Sequence, residues 1–214
     1  MAQKIAVIDY GMGNLRSVSK ALEHVALETQ TVRITSDPVV INEAERVVFP
    51  GQGAARDCMQ HLAERKLLDV VTRAAGEKPF LGICMGMQVL MIHSEENNGV
   101  DCMGMYDGEV KAFADESLRE QMGERKIPHM GWSRVRQVAE HPLWAGIADD
   151  SRFYFVHSYR VVPEDVSITA ATTDYGVRFT SAIARDNLFA VQFHPEKSAD
   201  AGLQLLENFV GWEG

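Results

Sequence analysis

The sequence predicts an α/β fold with a doubly wound, mostly parallel central sheet, helices on both faces and additional antiparallel strands in the C-terminal half. Two observations carry this reading. Up to about residue 90, short continuous apolar runs alternate with segments whose apolar residues recur at helical spacing, the β-α-β-α-β-α-β signature of parallel strands joined by crossover helices. Beyond residue 95 the pattern changes to short strand-like pieces separated by turn residues, and no linker divides the two parts.

Residues 4–10, Lys-Ile-Ala-Val-Ile-Asp-Tyr, form an apolar run suited to a strand buried on both faces. Gly11-Met12-Gly13 then leads to Asn14, placed as N-cap of a helix carrying Leu15, Val18, Leu22 and Val25. This strand, glycine loop and helix superficially fit a dinucleotide-binding fingerprint, but the third glycine is missing at the required spacing. Residues 28–34 alternate as a second strand, Ser36-Asp37-Pro38 opens a short helical turn, and Arg46-Val47-Val48-Phe49 forms a third strand. That strand runs into Pro50-Gly51-Gln52-Gly53, ahead of a helix with Ala54, Cys58, Met59 and Leu62. Glycines at the carboxyl end of a strand leave backbone N–H groups free for an anion or oxyanion. Taken alone, an ordinary glycine turn is the simpler explanation of the segment.

A helix over residues 67–75 leads to the strand Phe80-Leu81-Gly82-Ile83, then Cys84, then an expected helix from Met85 with Met87, Leu90 and Met91 facing the core. In the second half, strands are expected at 108–113, 127–138, 153–161, 167–172, 178–185 and 188–193, the last two joined by a tight Asp186-Asn187 turn. A final helix presents Leu203, Leu206, Phe209 and Val210.

Composition narrows the function classes. The 214 residues suit one domain, 1–214, with ordinary shares of hydrophobic (46%) and charged (24%) residues. A net charge of −9 without a basic cluster argues against nucleic acid. No apolar run reaches membrane-spanning length, and the N-terminus enters a strand-like stretch directly, so neither a membrane span nor a signal peptide is expected. Cys58, Cys84 and Cys102 are odd in number and lack C-x-x-C spacing. That pattern points to a reducing, cytoplasmic setting with no disulfide framework and no metal site.

Two segments carry chemistry. Gly82-Ile83-Cys84-Met85-Gly86 is G-x-C-x-G, the spacing of a tight strand-to-helix turn that forces a nucleophile outward and leaves no room for side chains on either side. The Met85 N–H, at the start of the turn, is free to face a developing oxyanion. A free thiol has a pKa of roughly 8.5 and needs a helix terminus or a nearby imidazolium to act at neutral pH. The motif also fits a small apolar cysteine buried at a strand end, and by itself leaves both readings open. Far downstream, Phe193-His194-Pro195-Glu196 places a histidine at a strand end with a carboxylate two residues on. A base needs an orienting partner, and this spacing, joined to an elbow cysteine, favours a Cys84-His194-Glu196 triad.

With those residues in place, Gly-Ile-Cys-Met-Gly-Met-Gln (82–88) and Phe-His-Pro-Glu (193–196) resemble the class I, triad-type glutamine amidotransferases, which release ammonia from glutamine through a cysteine thioester. Within them, residues 9–15, Pro50-Gly51-Gln52-Gly53, residues 126–132 and residues 154–159 are similar to the glutaminase subunits of imidazole glycerol phosphate synthase, over essentially the whole chain. The resemblance implies Cys84 as nucleophile, His194 as general base and acid, and Glu196 as the group orienting His194. It implies substrate contacts at Gly51, Gln52, Gly53, Met85, Gln88, Ser158 and Tyr159, with oxyanion N–H groups from Met85 and the Gly51-Gln52 segment. It also implies no cofactor, and a heterodimer in which ammonia passes to a (β/α)8-barrel cyclase making imidazole glycerol phosphate and AICAR in histidine biosynthesis.

Asn14, Cys84 and Lys197 are expected to surround one mouth at the carboxyl ends of the strands, and Asn14, Tyr154 and Lys197 are the expected interface residues. Gln52, where a small apolar residue is usual, and Met12, where proline is common, depart from the pattern, which bears on loop conformation. The alternatives are a glutaminase serving pyridoxal phosphate or anthranilate synthesis, a cysteine hydrolase of another kind, and a silent regulatory subunit. The segment 126–132 speaks against the first, and the presence of all three triad residues against the last.

Overall fold

The computed structural model describes residues 3–214, the side chain of Arg119 excepted. The first half contains β1 (Gln3–Ile8), α1 (Leu15–Val25), β2 (Gln30–Thr35), α2 (Pro38–Glu43), β3 (Arg46–Gly51), α3 (Ala55–Glu64), α4 (Leu68–Glu77) and β4 (Phe80–Cys84). A single helical turn, α5 (Met85–Gln88), leads to β5 (Met91–Ser94), β6 (Val100–Asp101), β7 (Tyr106–Ala112) and α6 (Arg119–Met122). The remainder comprises β8 (His129–Arg134), β9 (Arg136–Gln137), β10 (Arg152–His157), β11 (Tyr159–Pro163), β12 (Thr169–Tyr175), β13 (Val177–Arg185), β14 (Leu188–Val191) and α7 (Ala199–Gly211).

The main sheet runs β2-β1-β3-β4-β14-β13-β11-β7-β5-β6, with β12 and β9 joined through β13. Its core, β2-β1-β3-β4-β14, is parallel. From β14 the sheet continues antiparallel through β13 and β11 to β7. Strands β8 and β10 pair separately as an antiparallel ribbon.

Period-2 side-chain alternation in the parallel strands feeds two cores. Ile5, Val7, Val48, Leu81, Ile83, Phe189 and Val191 face one side, with Val18 and Leu22 of α1 and Leu205, Leu206 and Phe209 of α7. Ala6, Ile8, Val47, Phe49, Phe80, Leu188 and Ala190 face the other, with Ile41 of α2, Cys58 and Leu62 of α3, and Val70, Val71 and Ala74 of α4. Each fully buried large apolar side chain contributes about 1.5–3 kcal/mol of transfer free energy. Helices on both faces are therefore what these apolar runs require, and the expected α/β fold is borne out. Among the described residues, no helix is long and apolar enough to cross a membrane.

The structure differs from the sequence reading at several joints. The helix after Cys84 is one turn only; Met87, Leu90 and Met91 are all buried as expected, but Leu90 lies beyond the helix and Met91 already belongs to β5, which pairs parallel to β7. Asn14 occupies the N-cap position of α1 without a side-chain capping bond. The apolar stretch 153–161 is two strands, because the chain leaves the β8–β10 ribbon at Ser158 and enters the main sheet as β11. His157 Nδ1 donates to Tyr159 O across that break at 2.8 Å.

Candidate active site

The site is built where β4 and β14 lie side by side. Register pairs Ala190 with Gly82 and Val191 with Ile83, so the residues following each strand emerge at the same edge. From β4 comes Cys84 and from beyond β14 comes His194, and both line one cavity of about 470 Å³.

Cys84 has φ 56° and ψ −107°, a conformation that strains any residue with a β-carbon. The flanking glycines are dictated by close approach. A Cβ at Gly86 would lie 1.9 Å from Phe49 O, and one at Gly82 would lie 2.8 Å from Gly86 O and 2.9 Å from Ala190 Cβ. β3, β4, β14 and the elbow thus meet at backbone contact, and only glycine fits. Gly51 is wedged similarly, with Tyr10 Oη 2.5 Å and Met85 Cβ 2.7 Å from the position of a Cβ. Gly53 has φ +86°, and the Met12 methyl would lie 2.7 Å from a Cβ there, so Met12 touches the loop.

His194 is buried, and its Nδ1 lies 2.9 Å from Glu196 Oε1. Carboxylate partners accept, so Nδ1 carries a proton and Nε2 is the nitrogen available to exchange one. Nε2 has no aligned hydrogen-bond partner among the described residues. Burial alone pushes the imidazolium's pKa down, but the Cys84 sulfur and the Glu196 carboxylate outweigh it and raise the group to about 10.

The cavity brings together Gln52, Gly53, Cys84, Met85, Gln88, Ser158, Tyr159, His194 and Lys197 from the residues singled out in the sequence. Glu196 stands behind His194, and Gly51 lies beneath the loop against Tyr10. Tyr154 and Asn14 do not line the cavity. Lys197 is exposed, its Nζ 6.0 Å from the Tyr154 ring centroid, and Tyr154 in turn meets Trp132 edge-on at 6.1 Å. Trp132 and Met130, on β8, are exposed. Asn14 is exposed at the start of α1.

Sequence reasoning missed Glu96, Pro128, Val156 and His157, which complete the lining. Glu96 accepts from Ala55 N at 2.6 Å, and burial lifts its carboxyl above the usual range. Its position beyond a predicted helix gave no local signal. His157 belongs to a neutral pair: His129 Nδ1 lies 2.9 Å from His157 Nε2, and His129 Nε2 lies 2.8 Å from Ser133 Oγ. Burial pushes His129 to about 4 and His157 to about 3. Since the Tyr159 carbonyl can only accept, His157 must donate from Nδ1 and accept at Nε2, which fixes both tautomers. No group of three His, Cys, Asp or Glu suited to a metal ion is found among the described residues.

An elbow cysteine, a carboxylate-paired histidine and a glycine loop around one cavity can perform acyl transfer to a thiol. The sequence patterns that build them extend over the chain: residues 6–211 match the family described as glutamine amidotransferase class-I. The chain belongs to that family. The imidazole glycerol phosphate synthase subunit HisH of Dechloromonas aromatica is 61% identical over 99% of this chain and 97% of its own length. The subunit of the same name from Thiobacillus denitrificans is 58% identical over 99% and 92%. The resemblance read from the sequence is thus borne out as family membership. Among solved structures, PurLQS from Thermotoga maritima superimposes with a TM-score of 0.72, covering 99% of each chain at 18% identity. A glutamine amidotransferase from Thermotoga maritima gives 0.58, over 92% of this chain and 77% of that one, at 15% identity. At such identities the likeness concerns the fold.

Proposed function

We propose that the chain, as one domain, is the glutaminase subunit of an imidazole glycerol phosphate synthase, hydrolysing L-glutamine to glutamate and ammonia through a thioester on Cys84. The observation that carries this reading is His194, hydrogen-bonded through Nδ1 to Glu196 and unpartnered at Nε2, lining the cavity that also holds the strained Cys84. His194 Nε2 takes the Cys84 thiol proton as the sulfur attacks the substrate's δ-carbonyl carbon, and the resulting oxyanion is met by the N–H of Met85 and an N–H of the Gly51-Gln52 segment. His194 delivers its Nε2 proton to the departing nitrogen, releasing ammonia and leaving the thioester. Water then gives a proton to His194 and its oxygen to the acyl carbon, and glutamate leaves as the sulfur is freed. Glu196 keeps Nδ1 protonated throughout.

Gln88, Gly53 and the Ser158-Tyr159 backbone are positioned for the amino-acid head of glutamine, and the Glu96 carboxylate at the cavity wall suits its ammonium group. The partner is a (β/α)8-barrel cyclase that consumes the ammonia to form imidazole glycerol phosphate and AICAR. Its docking face comprises Met130 and Trp132, which are large and exposed, together with Tyr154, Lys197 and Asn14.

Ammonia release from glutamine is measured with and without the cyclase and its ribonucleotide substrate. The expected result is weak release by the chain alone and strong release in the complex, because the glycine loop can withhold one oxyanion donor, a loss of about 3 kcal/mol in the barrier. Absence of glutamine hydrolysis in the complex would overturn the reading.

A further inference from the structure

The side chain of Gln192 is fully buried between Cys84 and Gln88. Its neighbours Val191 and Phe193 are apolar and equally buried, so packing alone would favour another apolar residue here. The orientation of its amide follows from the groups around it. Tyr159 O receives Gln88 Nε2 at 3.4 Å, and a carbonyl only accepts, so the Gln88 NH2 faces that way. The same nitrogen lies 3.0 Å from Gln192 Oε1. This leaves Gln192 Nε2 facing Cys84 Sγ at 3.6 Å.

We propose that Gln192 is a hydrogen-bond donor to the nucleophilic sulfur, and that its single amide fixes the position of Cys84 and of Gln88 together. The proposal rests on Cys84 being the nucleophile. A sulfur at the end of one rotatable bond needs a donor to select the orientation from which it attacks, and an N–H facing an anionic acceptor is worth about twice a neutral bond. Because Gln192 Oε1 holds Gln88, the head of the substrate and the attacking atom are set by one planar group, which favours reacting atoms held near contact.

The test uses Gln192→Met, which removes both bonds, and Gln192→Glu, which keeps the acceptor for Gln88 and lacks the donor. Alkylation of Cys84 by iodoacetamide is followed by peptide mass on the chain without glutamine, and turnover is measured in the complex with the cyclase. In both variants alkylation should slow by roughly 3- to 10-fold, because the sulfur loses the donor that orients it for attack. Turnover should fall in kcat by roughly 10-fold or more, as for loss of a bond to a charged group. The Glu variant should leave KM within about threefold of wild type, since its acceptor still holds Gln88.

Wild-type alkylation and kcat in either variant would overturn the proposal, as would a loss confined to KM. A measurement that needs no substitution at Gln192 guards against misfolded variants. The Gln192 side-chain 15N–1H resonances of the wild-type chain should move when Cys84 is alkylated, and unmoved resonances would also overturn the proposal. Alkylation and the resonance shift do not require glutamine hydrolysis, so a chain that alkylates as expected but releases no ammonia sinks the glutaminase reading alone.

Discussion

Acid should unfold this protein through three histidines, His129 and His157 buried and His141 partly buried. Burial pushes His129 and His141 to about 4 and His157 to about 3. Each uses an unprotonated ring nitrogen as an acceptor: His129 Nε2 toward Ser133 Oγ, His157 Nε2 toward His129, and His141 Nδ1 from Leu143 N at 3.2 Å. Protonation would set donor against donor at His157 Nε2 and His141 Nδ1, whereas the Ser133 hydroxyl can turn to accept from His129 and only the cost of burying the charge remains there. In the unfolded chain these groups titrate at about 6.5, so the stability they confer is complete above that pH and is lost as pH falls toward their folded values. Between pH 6.5 and 5 an unfolded imidazole gains protons that the folded one refuses, which favours unfolding by about 1–2 kcal/mol per group and ~5 kcal/mol for three.

Glu96, held high by burial, takes up its proton early in the folded state and offsets part of this loss. His194 is raised instead, so its contribution is fully present below about 6.5 and is lost only as pH rises through about 10. It is therefore constant over the acid window. Urea denaturation followed by circular dichroism at half-unit steps from pH 7.5 to 5 reads the effect, and His141→Asn, which can still accept from Leu143 N, should remove about one proton's share of the slope. Stability that stays flat from pH 6.5 to 5 would refute the reasoning.

Cys84→Ala should abolish glutamine hydrolysis while leaving cyclase binding intact; Cys84→Gly should be equally inactive yet about 1 kcal/mol more stable than the alanine variant, since φ 56° no longer carries a β-carbon. Thermal denaturation of the two checks the difference. His194→Asn should lower kcat by roughly 100- to 10,000-fold and Glu196→Gln by less, because the first removes the proton carrier and the second only its orienting charge; equal mild losses would place the base elsewhere. Gly86→Ala should destabilise by about 1–3 kcal/mol or more and extinguish activity, as its methyl meets Phe49 O, whereas Gly76→Ala, with nothing within 4 Å, should be neutral or stabilising by up to ~1 kcal/mol. Lys197→Ala should reduce the product formed per ammonia released more than it reduces hydrolysis, because a charge pair desolvated by the partner couples by several kcal/mol; a wild-type ratio would exclude Lys197 from the docking face.

By itself the sequence determined the parallel strands and the turn that carries Cys84. Residues 4–10, 46–49 and 80–83 are continuous apolar runs, which only a sheet covered on both faces can bury. The G-x-C-x-G spacing encodes a local steric demand, and the Phe-His-Pro-Glu segment brings a histidine and a carboxylate within two residues, so both were legible without any distant contact. What tertiary structure alone decided was the meeting of chain ends. Nothing in residues 188–191 says that β14 enters beside β4 and aligns Val191 with Ile83, and that register places His194 in the cavity of Cys84. Glu96, His157 and Gln192 are polar residues whose use depends on partners 41, 28 and 108 positions away. Side-chain hydrogen bonds over such separations leave no periodicity in the sequence, because they arise only once the sheet has set the strands in order.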